Sequence, residues 1–239
     1  MILVGSLDLL ILKMALIGAK GNRISLLILQ VPRVRPRFKS PLDPLRFVWR
    51  LFKLIYALLL LAAIKVLGGS HLKTVITDNI NQKTDLRLLL RESQSELAFV
   101  KGGRILSAEL LSSFRGTWIN SHGGVLPRYR GLDSHLWAIS SGDFGNVGVT
   151  LHELNLEIDV GKILKVTKFK LKFDSTIGEI EKGINALHLE SLRWALDARG
   201  VSNLQTIGES INSKGSYFSR FPGRVRSWHT VESLIKNDK

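Results

Sequence analysis

The sequence predicts an α/β protein built on a doubly wound, mostly parallel sheet flanked by helices. Two observations predict it. Apolar runs at 1–4 and 26–31 bracket a Leu-rich run at 7–17, giving a strand–helix–strand opening; such unbroken runs suit strands covered on both faces. Further short apolar runs at 74–77, 97–101 and 117–120 are separated by helical stretches, as in βαβ units. The 239 residues, 45% hydrophobic and 23% charged, suit one medium-sized domain with a small appendage.

Each element follows from local signals. Gly18 and Gly21 stop the first helix. Residues 32–40 break the pattern with Pro32, Pro36, Arg33, Arg35, Arg37 and Lys39, and read as a loop. A helix follows over 44–67. In it Arg46, Arg50 and Lys53 share one face at i, i+4 and i+7, with Phe47, Trp49, Leu51, Phe52 and Leu54 around them. Between Lys53 and Lys65 the run is wholly apolar, yet shorter than the about 20 residues that cross a bilayer. Two readings stand: an interfacial helix resting on anionic lipid, or a long core or dimer-interface helix with a solvated basic stripe.

Residues 86–91 read as a helix, 97–101 as a strand ended by Gly102 and Gly103, and 107–113 as a short helix capped by Ser107. The strand at 117–120 delivers Asn120 at its C-terminal end, the edge where open α/β sheets bind ligands. A helix over 134–141 and a strand over 148–152 come next. The alternating run 162–173 reads as an exposed or edge strand pair. Thr176 and Glu179 form a capping box that opens a helix to about 198, stopped by Gly200. The remainder is loop-rich and basic.

Composition narrows the chemistry. The formal net charge of +14 favours anionic partners: nucleic acid, phosphorylated small molecules or an acidic membrane surface. The absence of cysteine excludes disulfides, thiolate catalysis and Cys-based zinc sites. No histidine pair has metal-ligand spacing, and no dinucleotide fingerprint, P-loop or G-x-S-x-G elbow occurs. Without a basic n-region the start does not read as a secretory signal, so a cytosolic protein is expected.

Asn120 and His122 lie two apart on a segment leaving a strand, so their side chains share a face. A neutral imidazole can take a proton from an attacking amine, and an amide N–H can meet a developing oxyanion. Asp159, in a glycine-flanked turn, can orient His122. Taken singly, Asn120 also suits a turn and His122 a loop. Gly123, Gly124 and Pro127 argue for a shaped loop, and Arg104, Arg128 and Arg130 are candidate phosphate or carboxylate donors.

The blocks Asn120-x-His122, Leu126-Pro127-Arg128-Tyr129-Arg130-Gly131, Trp137-Ala138-Ile139, Gly148-Val149-Thr150 and Asp159-x-Gly161-x-Ile163, with Arg104-Ile105-Leu106 upstream, resemble the formyltransferase family that uses 10-formyltetrahydrofolate. The resemblance runs from about 97 to 198 and fades before 72. It implies a Rossmann-like catalytic domain over 1–200 and a C-terminal extension over 201–239. It implies that Asn120, His122 and Asp159 are catalytic, that Gly103, Arg104, Ile105, Leu106 and Ile158 hold the folate, and that Arg128, Tyr129 and Arg130 contact the acceptor. No metal is implied.

Departures from the family pattern are also visible. Gly123 stands where many members have proline. The first strand and its loop look shortened, residues 41–68 look like an inserted basic amphipathic helix, and the chain ends too soon for the barrel of enzymes acting on methionyl-tRNA. The expectation is formyl transfer to a nucleotide-linked amino sugar for bacterial surface polysaccharide. The alternatives are methionyl-tRNA formylation or a non-catalytic folate- or nucleotide-binding protein. DNA is not expected as a partner; peripheral membrane contact through 41–68 and a homodimer stand as open alternatives.

Overall fold

The computed structural model describes residues 1–31, 43–172, 174–198, 215–222 and 229–236. The basic loop at 32–40, the side chains of Arg46, Arg50 and Lys53, and most of the tail lie outside the described residues.

The chain opens β1 (Ile2–Ser6), α1 (Leu9–Ala19), β2 (Leu26–Gln30), α2 (Asp43–Gly68), β3 (Lys73–Thr77). Asp8 caps α1 by accepting the Ile11 amide at 2.9 Å. Then come α3 (Thr84–Glu92), β4 (Leu97–Lys101), a short α4 (Ala108–Leu111) capped by Ser107, and β5 (Thr117–His122). The second half contains β6 (Tyr129–Gly131), α5 (Ser134–Ser140), β7 (Gly148–Glu153), β8 (Ile163–Lys168), α6 (Ile177–Asp197), β9 (Ser216–Phe218) and α7 (Val231–Lys236).

Seven strands form one sheet in the order β3-β2-β1-β4-β5-β7-β8. The first five are parallel, and β7 and β8 then run antiparallel to their neighbours. The predicted α/β class is therefore the observed one. Strand order reverses direction between β1 and β4, which opens a crevice at their carboxyl ends. Successive strand residues serve opposite faces. Leu3, Leu27, Leu29 and Phe99 pack with α1, the inner side of α2 and α6. Ile2, Val4, Ile28 and Ala98 pack with Leu86, Leu90 and Leu110 of α3 and α4. Two-sided burial is why these strands read as unbroken apolar runs.

Three parts of the chain gain definition. α2 is the crossover between β2 and β3, packed on α1. The run at 162–173 yields a single edge strand, β8, because only its first half pairs with β7. Two short elements stand in the described part of the tail. β9 pairs in parallel with β6, and Val231 and Leu234 of α7 are buried against α5 with Tyr129, Leu136 and Ile139. Both short elements were invisible because three-residue strands and six-residue helices carry too few periods to register. No helix among the described residues is long and apolar enough to cross a membrane.

Candidate active site

β5 carries Asn120 and His122 to the carboxyl edge of the sheet, two residues apart on one face. The antiparallel partner β7 sets His152 directly opposite Asn120 and Thr150 opposite His122. Ser121 faces the other side and bonds His188 Nδ1 of α6 at 2.6 Å, tying the end of β5 to that helix. Thr150 accepts the Leu126 amide and donates to the Gly124 carbonyl, which shapes the loop after His122.

Hydrogen-bond partners fix the proton positions. A backbone carbonyl oxygen can only accept, so the ring nitrogen facing it carries the hydrogen. His122 Nε2 therefore donates to the Tyr129 carbonyl at 2.8 Å, and Nδ1 is the nitrogen left with a lone pair. His152 Nδ1 donates to the Glu153 carbonyl at 2.8 Å. With Nδ1 as the donor, Nε2 is the nitrogen that accepts from Asn120 Nδ2 at 3.1 Å. That bond orients the Asn120 amide and leaves its second N–H for a ligand.

Asp159 sits between the rings. Its Oδ1 lies 3.5 Å from His122 Nδ1 and 3.6 Å from His152 Nε2, beyond hydrogen-bond length. Its Oδ2 accepts the Gly131 amide at 2.8 Å. The residue holds a φ of 54°, a left-handed conformation that Asp tolerates better than most residues. Burial alone would raise the Asp159 carboxyl, but the His152 and His122 rings and the Gly131 amide outweigh it and hold the group below the usual carboxylate range. For His122 burial dominates and pushes the imidazole below its ordinary value; Asp159 pulls the other way, and His152 adds to burial. The resting state is a neutral imidazole beside a carboxylate.

These groups line a cavity of about 660 Å³. The sequence-predicted Gly103, Arg104, Ile105, Leu106 and Ile158 all reach it, as do Asn120, His122 and Asp159. Gln30 and Asn81 hold the first wall: Gln30 Oε1 accepts the Arg104 amide at 2.8 Å, and Asn81 bonds both the Ile105 carbonyl and the Ser107 amide. Ile105, Leu132, Leu156 and Tyr217 stand exposed at its rim. Half-buried Lys101 also faces the cavity, its amine pushed down by burial against the pull of Asp8.

Three predicted residues are not among those lining the cavity. Tyr129 is buried, donating its hydroxyl to Asp143 at 3.0 Å. Arg128 pairs with the same carboxylate at 2.7 Å. Arg130 spends its guanidinium on the Ile158 carbonyl, at 3.2 and 2.6 Å. Arg130 thus positions the Asp159 turn, and Tyr129 supports His122 through its carbonyl. The sequence missed His152, Gln30, Asn81, His188 and Tyr217. For His152 the signal is the register of β5 on β7, which one sequence does not display.

Gly131 and Gly161 explain two motif glycines. Gly131 has a φ of 90° and sits where a Cβ would overlap the Phe218 carbonyl of β9. At Gly161 a Cβ would overlap the Glu153 carbonyl oxygen, because the strand start folds tightly back on β7. Gly161→Ala should therefore shift the Asp159 turn. The expected cost is about 1–3 kcal/mol in urea unfolding, with a fall in turnover greater than the stability loss explains. Unchanged stability and turnover would show the turn to be slack.

A basic nitrogen, an amide donor and a buried carboxylate around one cavity fit acyl transfer to an amine, in which one proton leaves and one oxygen gains charge. Acyl-group transferase is the class that this fold and site define. Residues 66–195, more than half of the chain, match the formyl transferase family, and the chain belongs to it.

Among curated relatives, it is 31% identical over 135 residues to a methionyl-tRNA formyltransferase of Bdellovibrio bacteriovorus, covering 56% of this chain and 42% of that protein. With that of Borrelia hermsii it shares 29% over 178 residues, covering 73% and 56%. The chain thus spans about half the length of these relatives. Among solved structures, an N-formyltransferase from Helicobacter canadensis, in complex with folinic acid and dTDP-3-aminofucose, superposes with a TM-score of 0.59 at 16% identity, covering 92% of this chain and 71% of that one. A phosphoribosylglycinamide formyltransferase from Bacillus halodurans gives 0.57 at 18%, covering 82% and 94%. At such identities these two establish the shared fold.

Proposed function

We propose that the chain moves the formyl group of 10-formyltetrahydrofolate to the amine of a nucleotide-linked amino sugar. The observation that carries this reading is the lone pair of His122 Nδ1 beside Asp159, with the spare Asn120 N–H in the same cavity. As the amine bonds the formyl carbon, His122 Nδ1 takes the proton that the amine loses, and it can return that proton to the donor nitrogen that leaves when the formyl C–N bond breaks. Asp159 stabilises the resulting imidazolium, and Asn120 Nδ2 meets the oxygen that gains charge.

The residues present fit the donor. The wall from Gly103 to Leu106 offers backbone groups fixed by Gln30 and Asn81, and Ile105, Leu132 and Leu156 supply an apolar rim for a flat ring. Bound there, the donor supplies an electrophilic formyl carbon.

A sugar acceptor is supported by Glu181 and Asn185, one turn apart on α6, which reach the cavity together with Asp133. These groups suit hydroxyls and an amine. Burial, then Asp133, raises the Glu181 carboxyl. Lys101 and Arg104 on the cavity wall and the net charge of +14 support a phosphate-bearing carrier.

Incubation with formyl-folate and a panel of nucleotide-linked amino sugars, followed by mass spectrometry, should show an acceptor heavier by one formyl group. Absence of formylated sugar across the panel would overturn the reading. The curated relatives give a second reading, methionyl-tRNA formylation; formylated methionyl-tRNA with unmodified sugars would establish it. Folate affinity without turnover on any acceptor would mark a binding protein.

A further inference from the structure

We infer that the outward face of α2 docks on an anionic lipid bilayer. This rests on the surface of the helix and on the charge of the sequence, and is independent of the reaction. Fourteen large apolar side chains stand exposed among the described residues, and seven of them lie on α2 between positions 52 and 67, so the exposure is concentrated in one place. Phe52 is 66%, Leu59 64% and Val66 81% exposed, with Ile55, Leu58 and Leu67 beside them.

At about 3.6 residues per turn, these six residues and Tyr56 fall on one half of the helix. Ala57, Leu60, Leu61 and Ile64, which pack toward α1, fall on the other. Over this stretch Lys65 is the one charged residue with a described side chain. A helix apolar all round belongs in a buried setting, and a continuous exposed apolar surface marks a docking site.

Charge selects the occupant. Between positions 33 and 53 the sequence carries seven basic residues against one acid, Asp43, and the whole chain is at +14. Two copies joined through α2 would bring these like charges together. A bilayer with acidic headgroups attracts them, as it does other basic amphipathic segments. With 26 residues, α2 is about 39 Å long, long enough to lie along a surface. The apolar half enters the headgroup boundary.

The test is flotation of the full chain with vesicles of phosphatidylcholine alone or with phosphatidylserine added, at low and high salt. Binding to anionic vesicles should be at least about tenfold tighter than to neutral ones and should weaken with salt. The double variant Leu58→Glu with Leu59→Glu should lose at least about tenfold. Because both side chains are exposed, its circular dichroism and melting should match the parent. Light scattering on both proteins runs in parallel. Failure of the folded parent to float, equal binding to both vesicle types, or a parent dimer that the double variant splits while vesicle binding is absent, would each overturn the proposal.

Discussion

His122→Ala should lower kcat/KM by about 10²–10⁴-fold, the usual span for losing a positioned general base. The geometry gives the residue two duties: Nε2 donates to the Tyr129 carbonyl and Nδ1 holds the lone pair. Alanine removes both. His122→Gln can keep an N–H for Tyr129 while removing the base, so it separates the duties. Equal losses in both variants assign the effect to proton transfer; turnover retained in the glutamine variant would reduce His122 to a support.

The pH profile is a second readout. Burial holds the His122 imidazole below its ordinary value of 6.5, so the base is neutral and active at pH 7. Activity should fall only as pH drops through that lowered value, which puts the acid limb of kcat/KM below 6.5. Asp159 raises the His122 value, so Asp159→Asn should move the limb lower still. A limb at or above 6.5 in the parent would contradict the assignment.

Asn120→Ala should lower kcat by about 10²–10³-fold, or about 2.7–4 kcal/mol, the range measured for losing one oxyanion donor. KM should change far less, since the bond strengthens only as the oxygen gains charge. His152 should act through Asn120. It is buried, and its accepting nitrogen fixes the amide, so His152→Ala should cost less alone and little more on top of Asn120→Ala. Additive losses in that double-mutant cycle would give His152 an independent role.

The fold was legible where apolar runs were long and flanked by turn residues, as in β1, β2, β4 and β5. That Asn120, His122 and Asp159 share one cavity was foreshadowed by the alternation of the first two along one strand and by the turn signals around the third. Two kinds of information were out of reach. Cross-strand register, which sets His152 against Asn120 and Thr150 against His122, exists only after the sheet forms. The bond of Arg130 to the Ile158 carbonyl was equally hidden, because a basic residue beside a site looks in sequence like a ligand donor. The place of α2 was likewise hidden: it joins two adjacent parallel strands, a pairing that one sequence does not display.

The pairing of β9 with β6 has a consequence for how the molecule is made. Leu132 donates to the Phe218 carbonyl, Trp137 to the Ser219 carbonyl and Phe221 to the Asp133 side chain. Every strand of the main sheet is in place by residue 168, yet the loop that presents the Gly131 amide to Asp159 gains these three partners only with residues 218–221. A chain leaving the ribosome from its N-terminus thus presents every strand of its main sheet before the residues that complete this rim of the cavity.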